Sequence, residues 1–192
     1  MAVSPKNDAA AVAEQSVESA GTGVEWAAIT AGALAAVGVS IILFTLGSGL
    51  GLAGDNPWSS VPQALVTFTI GAGIWLIVMQ WLSSALGGYL AGRLRKKWVG
   101  VRTDEVFFRD TAHGLLAWAL ATAIVALLFT LGSAAVAGSA AVATDAQMSA
   151  EATEQARKAA ASFSILTSLS LTIGAFIGCV AGALGGYHRD AS

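Results

Sequence analysis

Charge is scarce in this 192-residue sequence: Asp, Glu, Lys and Arg together make up 11% of it, against roughly 25% in an ordinary soluble domain. Cysteine is scarcer. The single Cys179 lies inside an apolar run, which excludes an internal disulfide and any multi-cysteine metal site. Absent too are a phosphate-binding loop, a nucleophile elbow, paired carboxylates and a metalloprotease motif. The polar segments are too short to form a catalytic domain. The sequence therefore predicts no enzyme and calls for no cofactor. Residues 1–23 lack the basic start, apolar core and cleavage site of a secretory signal. Rich in Ala, Ser and Glu, they read as a polar, disordered tail.

What is present is apolar and small. Hydrophobic residues make up 55% of the chain, glycines number 22, and the mean hydropathy is +0.69. Four apolar segments, at about 26–53, 64–90, 114–136 and 162–186, each exceed the ~20 residues that a bilayer core requires. None contains Asp, Glu, Lys or Arg. The pattern predicts an all-α polytopic membrane protein of four transmembrane helices. It speaks against a pump or coupled transporter, which needs ionisable groups within its spans.

Six of the ten basic residues, Arg93, Arg95, Lys96, Lys97, Arg102 and Arg109, fall between the second and third segments. The first connection, GDNPWSSVP, has none. The positive-inside rule makes 91–110 a cytoplasmic loop, with Trp98, Phe107 and Phe108 as headgroup-level anchors. An even number of spans then puts both termini, including the 188–192 tail, in the cytoplasm of a bacterial inner-membrane protein. The loop offers no element suited to reading nucleic acid. Across the membrane, residues 146–161 are Ala-rich with Glu154 four before Lys158, which favours a helical extension of the fourth span.

Glycines recur at helical spacing. Gly174, Gly178, Gly182 and Gly186 stand four apart, so on a helix they form one strip of bare backbone. In lipid, helices associate through such faces by close approach rather than hydrophobic burial. Two partner faces match it: Ala28, Gly32, Ala36 and Ser40 of the first span, or Ser84, Gly88 and Gly92 of the second. Gly47 and Gly51 add a shorter strip.

The chain also repeats itself. LFTLGS occurs at Leu43–Ser48 and Leu128–Ser133, ALGGY at Ala85–Tyr89 and Ala183–Tyr187, and TIGA at Thr69–Ala72 and Thr172–Ala175. A two-helix unit used twice gives both hairpins the same orientation, with any pseudo-axis along the membrane normal. The combination of LFTLGSGLGLAG with a second span ending GGYLAGRLR resembles small multi-span bacterial inner-membrane proteins of uncharacterised function, some labelled PhnA-like. That resemblance covers most of the membrane part and implies no activity and no site. PhnA proteins themselves are zinc-ribbon proteins, and this chain lacks the cysteine ligands they need.

Two polar groupings remain. Gln80, near the middle of the second span and followed by Ser83 and Ser84, needs hydrogen-bond partners; Thr45 and Thr130 could supply them in packing, or Gln80, Ser83, Ser84, Thr45 and Thr130 together could form a polar lining. His113 and His188 open the third and close the fourth span, with Asp110 and Asp190 nearby. The bland reading is two histidines meeting water and headgroups; the sharper one is a metal or pH-sensing site. Overall, the sequence predicts a structural or accessory membrane protein, embedded in lipid and associated with itself or another membrane protein. The alternative is a passive oligomeric channel.

Overall fold

The computed structural model describes residues 23–53, 61–97, 102–140 and 150–191, with the side chains of 51–53, 61–70, 72, 134–140 and most of 150–163 outside the description. The expected N-terminal tail up to residue 22, the turns over 54–60 and 141–149, and the surroundings of Gly51 therefore fall outside the described residues. Four helices follow in order: α1, Trp26–Ala53; α2, Val61–Leu94; α3, Thr103–Ala140; and α4, Ala150–Asp190.

All four are long and apolar enough to cross a membrane, over Trp26–Leu50, Gly73–Leu94, Thr103–Ser133 and Ser164–Asp190. At 1.5 Å per residue the shortest of these is about 33 Å and the longest about 46 Å, against a ~30 Å hydrocarbon core. The connection expected over 91–110 is only 95–102, because α2 runs on to Leu94 and α3 starts at Thr103. Charge explains the extension: Asp104 and Glu105 occupy the first turn of α3 and Arg93 the last turn of α2, each opposite in sign to the helix end it occupies.

The buried core is thin and built of small residues, chiefly Ala28, Ile29, Ala33, Ala36, Val37, Ala91, Ala117 and Ala121. Large apolar side chains point outward; Phe129, Ile165 and Phe176 are 68–70% exposed. In water that arrangement would forfeit most of the available burial. In lipid it costs little, and small residues inside bring backbones together.

α2 contacts all three other helices, whereas α1 and α4 do not meet among the described residues. The glycines define how close the contacts are. A Cβ on Gly88 would run into the Gly178 carbonyl, and one on Gly92 into that of Gly182. The steps advance in the same direction, so α2 and α4 lie parallel. Gly114 of α3 meets the Gly178 carbonyl on another side of α4, and a Cβ on Gly182 would stand 2.8 Å from the Gly114 Cα. On the far side of α2, a Cβ on Gly87 would be 2.8 Å from the Ala36 Cβ and 2.9 Å from the Gly32 carbonyl. Of the two partner faces open to the α4 strip, Ser84, Gly88 and Gly92 lie along it, but the bare side of Gly178, Gly182 and Gly186 is filled by Trp118, Gly114 and Asp110 of α3, a partner that the spacing does not offer. The Gly32 and Ala36 face of α1 is turned to α2.

Toward the opposite end the helices separate. Gly47 is filled by the Trp75 indole, whose Nε1 donates to the Leu43 carbonyl at 2.8 Å. A Cβ on Gly38, Gly49, Gly71, Gly73 or Gly132, by contrast, would meet nothing within 4 Å among the described residues. From Ala126 to Ser133, two full turns of α3 are exposed on every side.

Candidate functional site

The densest polar chemistry lies at the basic end, where three helix termini converge on one carboxylate. Asp110, in the second turn of α3, is 2% exposed. Its Oδ1 accepts from Arg95 Nε at 2.7 Å and pairs with Arg95 Nη2 at 2.6 Å. Arg189 of α4 donates to the same carboxylate from Nη1 at 3.2 Å and Nη2 at 3.3 Å. Gly186 makes room for it, since a Cβ there would overlap the Asp110 carboxyl.

Arg189 does a second task. Its Nη1 donates at 2.9 Å to the Gly92 carbonyl, one of the carbonyls that the end of α2 leaves without an intrahelical donor. Asp190 in turn accepts from Arg189 at 2.9 Å, while the Asp190 carbonyl accepts from Lys97 Nζ at 3.2 Å. Burial draws the Arg95 guanidinium below its ordinary value, and the Asp110 hydrogen bond and charge oppose that shift. An arginine so placed stays charged.

His113, one turn further along α3, is 1% exposed. Its Nε2 accepts from the Glu25 backbone N–H at 2.8 Å, and its Nδ1 lies 2.6 Å from the Arg109 carbonyl. A ring nitrogen that accepts while the other faces a carbonyl requires the neutral tautomer with hydrogen on Nδ1. The ring therefore satisfies a donor at the start of α1, where the first backbone N–H groups have no intrahelical acceptor. Glu25 ties in α2 as well, its Oε2 accepting from the Lys96 N–H at 2.6 Å.

The four residues expected at this boundary thus part company. Asp110 and Asp190 pair with arginine, and His113 is buried rather than interfacial. His188 and Asp190 are exposed, with the Tyr89 hydroxyl 3.4 Å from His188 Nδ1. The reading of His113 as meeting water is corrected: the Glu25 N–H gives its ring a better partner inside. Among the described residues no group of three or more His, Cys, Asp or Glu could hold a metal ion. The cluster's chemistry is that of a clamp, because two guanidiniums occupy the carboxylate and both ring nitrogens of His113 are engaged.

The polar residues within the membrane are mostly satisfied locally. Ser83 accepts from Ser40 Oγ at 2.9 Å across α1 and α2. Ser84 Oγ donates to the Gln80 carbonyl at 2.6 Å. Thr45 and Thr130, expected as partners of Gln80, are exposed and donate to carbonyls of their own helices, Ile41 and Ile42 for Thr45 and Leu127 for Thr130. The reason is general: a helical threonine hydroxyl reaches the carbonyl three or four residues back more easily than another helix. The Gln80 amide instead lies beside Gly174.

Sequence reasoning missed Arg95, Arg189, Glu25 and the indoles of Trp75 and Trp118. A signal for the arginines was present. Arg95 stands three residues after Gly92, Arg189 three after Gly186, and Asp110 four before Gly114. Each charge thus extends a glycine face by one turn. Compared with known proteins, the chain matches no family model, no curated protein and no solved structure.

Proposed function

We propose that the chain is a structural or accessory integral membrane protein, a scaffold that packs through glycine-zipper faces and joins copies of itself or a larger membrane complex. The observation that carries this reading is how the polar groups are used. Ser40 with Ser83, Ser84 with Gln80, and each threonine with its own backbone are separate local pairs, which is the pattern of packing rather than of a lined path. Backbone lies against backbone where Gly88 and Gly114 meet Gly178 and where Gly92 meets Gly182. Away from the clamp, the open glycines and the fully exposed turns of α3 offer association surface. The cluster of basic residues supports, by the positive-inside rule, a cytoplasmic side for that end of the bundle and for both termini, in a bacterial inner membrane.

Purification from native membrane followed by mass determination in mild detergent tests the proposal. A discrete oligomer or a co-purifying membrane partner supports it. A monomer that gives unitary currents in liposomes, abolished by Gln80→Leu, would replace it with a passive channel. A reporter fused after Tyr187 that is active outside the cytoplasm would reverse the orientation.

A further inference from the structure

Near the middle of the bundle, polar atoms from two helices gather at a third helix that has no side chain at that point. A Cβ placed on Gly174 of α4 would lie 3.0 Å from Gln80 Nε2, 3.1 Å from Ser84 Oγ and 3.1 Å from Trp118 Nε1. No two of those atoms are then more than about 6 Å apart, and one oxygen at ~2.9 Å from each of two atoms bridges nearly that distance. Gly174 is buried. The site lies about 15 Å along α4 from Ser164 and about 24 Å from Asp190 at 1.5 Å per residue, which puts it well inside the span Ser164–Asp190.

One of the three is unsatisfied. Trp118 Nε1 is buried and has no hydrogen-bond acceptor among the described residues, in a setting where an unmet donor costs several kcal/mol. Ser84 has already committed its proton to the Gln80 carbonyl, so its oxygen is left as an acceptor. The inventory is therefore two N–H donors, on Trp118 and Gln80, and one oxygen lone pair, on Ser84. A water molecule accepts twice and donates twice, and buried waters typically have about three such partners.

We infer that this junction of α2, α3 and α4 binds one water molecule, which accepts from Trp118 Nε1 and Gln80 Nε2 and donates to Ser84 Oγ beside the bare Cα of Gly174. Glycine at 174 then has a role apart from helix approach: its missing side chain leaves the oxygen its place. The neighbouring Gly178 differs, because a Cβ there would meet the Trp118 Cβ and the Gly114 carbonyl, at 3.1 and 3.2 Å.

The test is nuclear magnetic resonance of indole-15N-labelled full-length protein in lipid nanodiscs, with Trp118 assigned by its loss in Trp118→Phe. A rotating-frame cross-peak between the Trp118 indole proton and water is expected in the unsubstituted protein, and its loss is expected in Gly174→Ala, whose methyl takes the water's place. Should Gly174→Ala fail to fold, Ser84→Ala serves instead and is expected to weaken the same cross-peak. A folded, unsubstituted protein with no water cross-peak at Trp118 overturns the inference. So does a cross-peak that persists unchanged in folded Gly174→Ala. An indole signal shielded from water but shifted by Gln80→Met also overturns it, in favour of a direct bond to the Gln80 amide oxygen.

Discussion

The two halves of this bundle use one residue type to opposite ends. At the basic end Gly88, Gly92, Gly114 and Gly182 are places where a neighbour's backbone occupies the space of a side chain. Toward the other end a Cβ on Gly49, Gly71, Gly73 or Gly132 would face nothing within 4 Å among the described residues. The internal repeat sharpens the contrast. Gly47 and Gly132 hold the same position in LFTLGS, yet only Gly47 is filled, by Trp75. Aligning the TIGA copies sets Trp75 opposite Gly178, so the second hairpin has no indole there. A glycine spacing thus marks a possible close approach, and the neighbour's residue decides whether it happens.

The sharpest way to break this contrast is to remove the charge that closes the basic end. Asp110→Ala strands two guanidiniums without their shared carboxylate and should cost about 3–5 kcal/mol, read as unfolding in detergent. A loss below about 0.5 kcal/mol, the size of an ordinary surface change, would show that Arg95 and Arg189 reach water. Next in size is the paired substitution of Gly178→Leu and Gly132→Leu. Overpacking at Gly178 should cost about 1–3 kcal/mol, whereas Gly132→Leu should leave the fold unchanged. Equal tolerance of the two would erase the distinction between the halves. Ala175→Leu, one step of ~100° from the strip at a half-buried position, should fall between them.

His113→Ala should cost about 1–2 kcal/mol, since it leaves the Glu25 N–H without its acceptor. Faster amide exchange confined to the first turn of α1 is the readout, and an unchanged rate there would mean that water caps the helix as well. The smallest effect belongs to the far extension of α4. Glu154 accepts from Arg157 at 2.8 and 2.9 Å, which holds its carboxyl below the ordinary 4.5. A lowered folded value means that this contribution is complete above the ordinary one and is lost as pH falls through the folded one. Both groups are exposed, so slight fraying of residues 150–158 is expected in acid, measurable by amide exchange and absent in Glu154→Gln.

Much of the architecture was legible because lipid imposes it: uncharged runs of this length have few other uses, and helix is the only open-chain form that satisfies its own backbone in hydrocarbon. The four-residue spacing of the α4 glycines was legible, but which neighbours meet them was not, least of all Trp118, Gly114 and Asp110 of α3. Ala28, Gly32 and Ala36 have the same small-residue signature as Ser84, Gly88 and Gly92, and spacing cannot choose between two equally small faces. The clamp was hidden for a different reason. Asp110 and His113 look like water-facing residues at a span boundary, and what buries them is two arginines and a helix start that lie far from them in sequence. Gln80 was recognised as needing partners, but threonines were credited with a reach that back-bonding to their own helix removes.

The parallel seam between α2 and α4 also sets a timetable for biogenesis. Gly88 and Gly178 are about 90 residues apart, which at ribosomal speed is about 5–20 s of elongation. Through that interval the Gly88 and Gly92 face has no α4 to meet, and the carboxylate of Asp110 has Arg95 but not Arg189. The seam, and the second guanidinium of the clamp, therefore wait on the fourth helix and cannot be completed by the first two alone.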